Sequence, residues 1–256
     1  MDMIQIGTQE KIIKNGGKGT IMKAVGIIGF KKSGKTTLGV RLVAELAKMG
    51  LKVGVIKHTS EGLDRPETDS VKYSRVSGFT AVIGPKEAEI LLQGEQKIDE
   101  ILKYFSDDVL LVEGFKDDKT FPKIVCLRNA EEKKELCSGL ELGTAGFDKS
   151  VAEFDIMNDE HIRVMAGRVV EKGFKLPGLN CGKCAYKTCE ALTKAIVAGK
   201  ATLEECMSLN PSLTIDVDGK EFALNPFTAN LCKQTILGML SSLKGYKKGQ
   251  VTIRIP

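Results

Sequence analysis

The chain has 256 residues, 42% of them hydrophobic and 28% charged, enough to build one large domain or two ordinary ones. That excludes a disordered or collagen-like chain. The 38 basic and 33 acidic residues give a net charge of +5 with dispersed lysines, and with only ten Phe, four Tyr and no Trp a dedicated nucleic-acid surface is not expected.

In chain order, residues 1–21 are polar and glycine-rich and read as an extension before an alternative start at Met22; a strand over Met3–Ile6 is the competing reading. Gln5, Gln9, Glu10, Lys11 and Lys14 break up the apolar core that a signal peptide needs. No apolar run reaches the roughly 18–20 residues of a membrane span, so a cytoplasmic protein without membrane contact is expected. A strand over Val25–Ile28 is followed by a Gly/Lys loop and a helix through Lys48, with Leu38, Leu42 and Leu46 on its apolar face and Gly50 ending it. Further strands are expected at Val53–Ile56, Thr80–Ile83, Val109–Val112 and Lys123–Leu127, with helices at Asp69–Ser77 and Ile98–Phe105. Ile162, Met165, Ala166, Val169 and Val170 mark a last helix ending near Gly173. Short apolar strands alternating with helices predict an α/β fold, a mostly parallel sheet covered on both faces. Leu176-Pro177-Gly178 punctuates the chain, which places a boundary near Lys175 between a unit over 22–175 and a smaller α+β unit over 176–256. The latter should hold a helix near Cys189–Ala198, a hairpin turning at Asp218-Gly219, a helix near Ala229–Leu243 and a strand at Val251–Ile255.

Gly29-Phe-Lys-Lys-Ser-Gly-Lys-Thr36 fits the phosphate-loop pattern G-x4-G-K-[ST] and lies between a strand and an amphipathic helix, as that loop must. Gly29 and Gly34 let the backbone turn its N–H groups inward, and the helix N-terminus adds positive potential. Lys35 can reach β and γ phosphates, and the Thr36 hydroxyl can ligate Mg²⁺. Lys31 and Lys32 add field strength; with Ser33 and Thr37 they complete the candidate nucleotide-binding set. Glu113 ends the apolar strand Val109–Val112, where ligands gather in open α/β sheets. His58 lies at another strand terminus and His161 on the last helix, where it is expected to be solvated.

The stretches GFKKSGKTTL (29–38), VGVIKHT (53–59), DRPETDS (64–70) and LLVEGF (110–115) together resemble the MobB family, nucleotide-binding adapters of molybdopterin-guanine dinucleotide biosynthesis. The resemblance covers about residues 22–130 and implies a P-loop NTPase fold, GTP binding with weak hydrolysis, and a homodimer. It also implies partnership with the molybdopterin guanylyltransferase or a client molybdenum or tungsten enzyme. By motif position it implies Asp69 and Glu113 near the Mg²⁺ with Thr36, and His58 in the substrate-proximal loop beside Lys35. No Asn-Lys-x-Asp guanine-reading motif occurs, so the choice of GTP rests on the family.

Four of the seven cysteines crowd together as Cys181-x2-Cys184-x4-Cys189-x16-Cys206. Three close ligands and one distant one suit a [4Fe–4S] cubane, whereas a zinc ribbon offers two C-x2-C knuckles. Residues 176–206 resemble the small four-iron domain of corrinoid iron–sulfur proteins and of an Rnf-type electron-transport subunit, with Ala185 replacing a usual glycine. Cys126 and Cys137 read as buried small residues; Cys232, on a helix, reads as packed, although it could approach the cluster. The fusion leaves two other functions open: an NTP-dependent metallocluster assembly factor, and an electron-transfer module in which the loop only docks a nucleotide.

Overall fold

The apolar run after Met22 becomes the central strand of the molecule. A computed structural model describes residues 23–63, 66–209 and most of 213–251. The elements are β1 (Lys23–Ile28), α1 (Lys35–Lys48), β2 (Val53–Lys57), α2 (Asp69–Val76), β3 (Phe79–Ile83), β4 (Ala88–Leu92), α3 (Ile98–Ile101), β5 (Val109–Glu113), β6 (Lys123–Cys126), α4 (Glu132–Leu136), β7 (Glu141–Gly146), β8 (Phe154–Asp155), α5 (Asp159–Lys172), α6 (Cys189–Val197), β9 (Ile215–Val217), β10 (Lys220–Phe222) and α7 (Pro226–Ser241). The extension over 1–21 and its alternative strand, Met22, the turn Asp218-Gly219 and all of Val251–Ile255 but its first residue lie outside the described residues.

Six strands form one sheet in the order β2-β5-β1-β6-β7-β8, every pair parallel. Because side chains alternate along a strand, Val25, Ile27, Val109 and Leu111 point to one face and Ala24, Leu110 and Val112 to the other. The first face is covered by α1, through Leu38, Leu42 and Leu46, and by α5, through Ile162, Met165, Ala166 and Val169. Each such leucine contributes about 1.5–3 kcal/mol by leaving water. Gly50, at φ 81°, ends α1 by sending its N–H to the Ala47 carbonyl at 3.0 Å. Asn158 starts α5 by accepting from the Glu160 and His161 N–H groups. The second face carries less cover: α3 with the turn of 3-10 helix after it, and the crossover 114–122 that supplies Phe121.

Several elements depart from the sequence reading, among them the short α4 and β8, which it did not include. β3 does not join the sheet; it pairs antiparallel with β4, a strand the periodicity did not suggest, through a turn closed by the Gly84 N–H on the Glu87 carbonyl at 2.8 Å. β7, with the sequence ELGTAG, carries Thr144 as its single β-branched residue among two glycines and an alanine, too weak a pattern to advertise a strand. Its glycines are required by close approach: a Cβ on Gly143 would lie 2.8 Å from the Phe154 ring, and one on Gly146 would lie 2.9 Å from the Leu127 carbonyl. His161 is not solvated. Its Nδ1 accepts the Asp155 N–H at 2.9 Å and its ring meets the edge of Phe154.

Past α5 the chain returns to the edge where the parallel strands begin. The Phe174 N–H donates to the Ala24 carbonyl at 3.0 Å and the Leu176 N–H to the Thr120 carbonyl at 2.8 Å. Lys175, nearly buried, pairs with Asp99 at 2.7 Å. Phe174 and Leu176 then form a small second core with Leu192 and Cys206. The cysteine segment therefore docks at the N-terminal edge of the sheet, and the phosphate loop, following β1, stands at the opposite edge.

Candidate functional site

At the C-terminal edge, the loop from Gly29 to Thr36 has the geometry that its sequence requires. Lys32 and Gly34 take positive φ, 64° and 89°. A Cβ on Gly29 would fall 2.4 Å from Ser33 Oγ and 2.6 Å from the Cys126 carbonyl, so the loop closes only over glycine. Gly34 starts α1 without a side-chain cap, and no acidic residue occupies the first turn. The leading N–H groups of α1 are thus left to meet an anion, with the helix dipole behind them. Lys35 Nζ curls back to the Phe30 carbonyl at 2.7 Å, inside the mouth of the loop. The Ser33 hydroxyl is buried and has no hydrogen-bond partner.

The Thr36 hydroxyl donates to both Glu113 oxygens, at 3.0 and 3.1 Å. A hydroxyl and a carboxylate side by side are the hard oxygen donors that Mg²⁺ prefers. Lys57 Nζ stands 3.5 Å from the same Glu113 carboxylate and 3.5 Å from Thr36 Oγ1. Sequence reasoning passed over Lys57, although it ends a strand at the ligand edge and that position was the available signal. His58 follows at once: its N–H donates to the Glu113 carbonyl at 2.8 Å and its ring rests 4.5 Å from that of Phe115. Asp69, exposed at the start of α2, is instead paired with Lys72 at 3.0 Å and is not among the partners of Thr36 and Glu113. Lys31 pairs with Glu61 at 3.0 Å, while Lys32 and Thr37 are exposed. Arg128, also missed, donates to the Lys31 carbonyl at 3.3 Å and lies over the Phe30 ring, bracing the loop from β6. Cys126 beneath the loop is an inert thiol, pushed up to about 12 by burial.

At the opposite edge, Cys181, Cys184, Cys189 and Cys206 all line one cavity, with Asn180, Tyr186 and Ser208 among its other walls. Cys206 is buried, Cys184 and Cys189 are half-buried and Cys181 is exposed. Among the described residues no three Cys, His, Asp or Glu side chains converge closely enough to hold a single ion. All four thiols nevertheless belong to the lining of this one cavity, and four thiols are the donor set that a cluster with one sulfur ligand per corner takes. Asn180, at φ 45°, clamps Cys189 from two sides: its N–H points to Sγ at 3.4 Å and its side-chain oxygen accepts the Cys189 N–H at 2.7 Å. The hydrogen bond with Ser208 pulls the Cys181 thiol below its ordinary value, while burial pushes the Cys206 thiol up. Cys137 is half-buried and away from this cavity. Among the described residues no helix is long and apolar enough to cross a membrane.

Comparison with known proteins finds matches over both segments. Residues 24–142 match the family model of MobB, "Molybdopterin guanine dinucleotide synthesis protein B", and residues 176–208 match the family model "Putative Fe-S cluster". The crystal structure of Bacillus subtilis MobB superimposes with a TM-score of 0.50 at 22% identity, covering 57% of this chain and 98% of that one, which establishes the shared fold. A molybdopterin-guanine dinucleotide biosynthesis adapter protein of Escherichia coli is 27% identical over 122 residues, 43% of this chain and 68% of the relative. A Methanocaldococcus jannaschii protein described as a "Putative molybdopterin-guanine dinucleotide biosynthesis adapter protein" is 30% identical over 232 residues. That match spans 88% of this chain and 93% of the relative, well beyond the nucleotide loop, and by it the chain belongs to the MobB family.

Proposed function

We propose that the protein is a GTP-binding adapter in molybdopterin-guanine dinucleotide biosynthesis, built from a nucleotide unit over 22–175 and an iron–sulfur unit over 176–256. The observation that carries this reading is the Thr36–Glu113 pair at the foot of an uncapped helix N-terminus, beside Lys57 and at the end of a loop whose mouth holds Lys35. In this reading the N–H groups of 29–37 hold the phosphates and Lys35 crosses from the Phe30 carbonyl to them. Thr36 and Glu113 hold Mg²⁺, which neutralises phosphate charge. Asp69, whose carboxylate pairs with Lys72 of the same helix, would exchange that exposed pair for the metal. His58 and Phe115 form the wall beside the phosphates. Hydrolysis is slow, because the loop lacks a water-positioning Gln or an arginine finger, groups worth about 10³–10⁵ in rate. Cys181, Cys184, Cys189 and Cys206 hold a [4Fe–4S] cluster, which supplies one-electron chemistry or a structural staple when bound. A homodimer that meets the molybdopterin guanylyltransferase or a client molybdenum or tungsten enzyme is the assembly we expect.

The test is formation of molybdopterin-guanine dinucleotide by the cognate guanylyltransferase with and without this protein. Stimulation that disappears with Lys35→Ala supports the adapter reading. No stimulation, together with electron transfer from the reduced protein to a redox partner, would leave the electron-transfer module in its place; the exposure of Cys181 is the observation on that side.

A further inference from the structure

Every connection between parallel strands crosses from one edge of the sheet to the other, and the crossover 114–122 does so with one end beside Glu113 and the other against the link to the cysteine segment. The crossover 114–122 leaves β5 beside Glu113 and starts β6 at the other edge. Its first residues turn sharply: Gly114 has φ 95° and Phe115 has φ 48°, a left-handed conformation that a residue with a Cβ adopts only when its surroundings impose it. The Phe115 ring lies against His58. At the far end, the Thr120 carbonyl takes the Leu176 N–H, and Gly178 sits so close to the Thr120 methyl that a Cβ there would be 3.2 Å away. Leu176 in turn shares a core with Cys206.

Between these ends stands Lys123, only 1% exposed. Its Nζ donates to the Phe115 carbonyl at 3.2 Å and lies 3.6 Å from the centre of the Phe121 ring. Gly26 in β1 makes the space, since a Cβ there would fall 2.6 Å from Lys123 Cδ and 2.9 Å from the Phe121 ring. Asp117, Asp118 and Lys119 of the crossover and Lys175 of the link are the charged groups around it, and burial lowers its pKa to about 7. A lysine is almost never buried this completely for packing alone, because Met or Leu fills the same volume at lower cost. An amine donates in both of its protonation states, so the contact with Phe115 survives the loss of its charge.

We propose that Lys123 is a positioning residue that couples the two sites. By holding the Phe115 carbonyl it fixes the turn after Glu113, and through Phe121 and Thr120 it transmits the seating of the cysteine segment to the nucleotide site. The inference rests on the reading that the loop binds nucleotide and the cysteines hold a cluster. Coupling of this kind acts in both directions with equal strength, typically by about 5- to 150-fold in affinity.

The experiment is a calorimetric titration of the full chain with Mg²⁺ and a non-hydrolysable GTP analogue. It compares cluster-loaded protein with the Cys181→Ser/Cys184→Ser variant, each with and without Lys123→Met. Methionine keeps the apolar stem and removes the donor. The expected result is a ratio of dissociation constants of about five or more between the cluster-loaded and cluster-free forms. With Lys123→Met the ratio should fall below about two, while iron content and cooperative melting persist. A merely structural lysine would shift both constants together and leave the ratio unchanged, and that result, or a ratio of one in the parent protein, overturns the proposal. Should Lys123→Met not fold, Phe121→Leu, which removes the ring under the ammonium, must lower the same ratio. Absence of any binding by the cluster-loaded parent would sink the nucleotide reading itself, and the coupling with it.

Discussion

The two edges of the sheet build their candidate sites in opposite ways. At the C-terminal edge the site is made of backbone. Gly29 and Gly34 shape it, the first turn of α1 supplies the N–H groups, and the strands beneath are anchored by a large apolar core. At the N-terminal edge the site is made of side chains around a small core in which one proposed ligand, Cys206, is itself a core residue. A unit that small gains little from burial and is ordinarily stapled by a metal centre or disulfides. On the proposed reading, the nucleotide site is thus built before its ligand arrives, whereas the cysteine unit would draw much of its stability from the cluster.

The sharpest way to break this contrast is to remove a corner of the cluster. Cys206→Ser should lower iron from about four per chain to less than one. Residues 176–208 should lose hydrogen-exchange protection while the sheet keeps its own. Protection retained without iron, read by exchange mass spectrometry, would show that the small core suffices. At the other edge, Lys35→Ala should weaken Mg²⁺-GTP binding at least 100-fold, about 2.7 kcal/mol, with no change in melting; unchanged affinity in a calorimeter would remove the phosphate assignment. Glu113→Gln should be gentler, lowering the Mg²⁺-dependent part of the affinity about ten-fold and leaving Mg²⁺-free binding intact. Equal losses with and without Mg²⁺ would make Glu113 a loop brace rather than a metal ligand.

A last expected effect, comparable in size to that of Glu113→Gln, is read through pH. Lys123 is lowered from 10.5 to about 7 in the folded chain. Between those values the unfolded chain holds a proton that the folded chain has released, so this residue makes stability rise with pH across that window. Below about pH 7 both states are protonated and the desolvation cost is constant and complete. Lys123→Met should therefore be more stable than the parent at about pH 6, by roughly 1–2 kcal/mol once its lost hydrogen bond is counted, with the advantage shrinking as pH rises towards 10. Denaturant titrations across that range check it, and a constant difference would mean that the ammonium remains hydrated.

Wherever a pattern is local, the sequence was readable. The glycine spacing of the phosphate loop, the leucines of α1 and the strand that ends at Glu113 each follow from contacts within a few residues or from one repeating period. β7 was hidden because its two glycines are chosen by what presses on them, the Phe154 ring and the Leu127 carbonyl, and not by strand propensity. Lys57 and Arg128 were hidden because a lysine or arginine at a strand end looks like any solvated charge until the sheet order brings it to Thr36 or Phe30.

By itself the sequence determined the α/β class, the phosphate loop, the family resemblance and the four-cysteine spacing, since all of these are written in short-range patterns. Tertiary structure alone decided that Thr36 meets Glu113, that Asp69 is turned to Lys72, and that the cysteine unit docks at the edge opposite the nucleotide loop. It alone revealed the buried lysine between them. Such facts depend on which strands become neighbours, and hydrogen bonding between residues far apart in the chain, with the burial that follows, settles that only when the whole sheet forms.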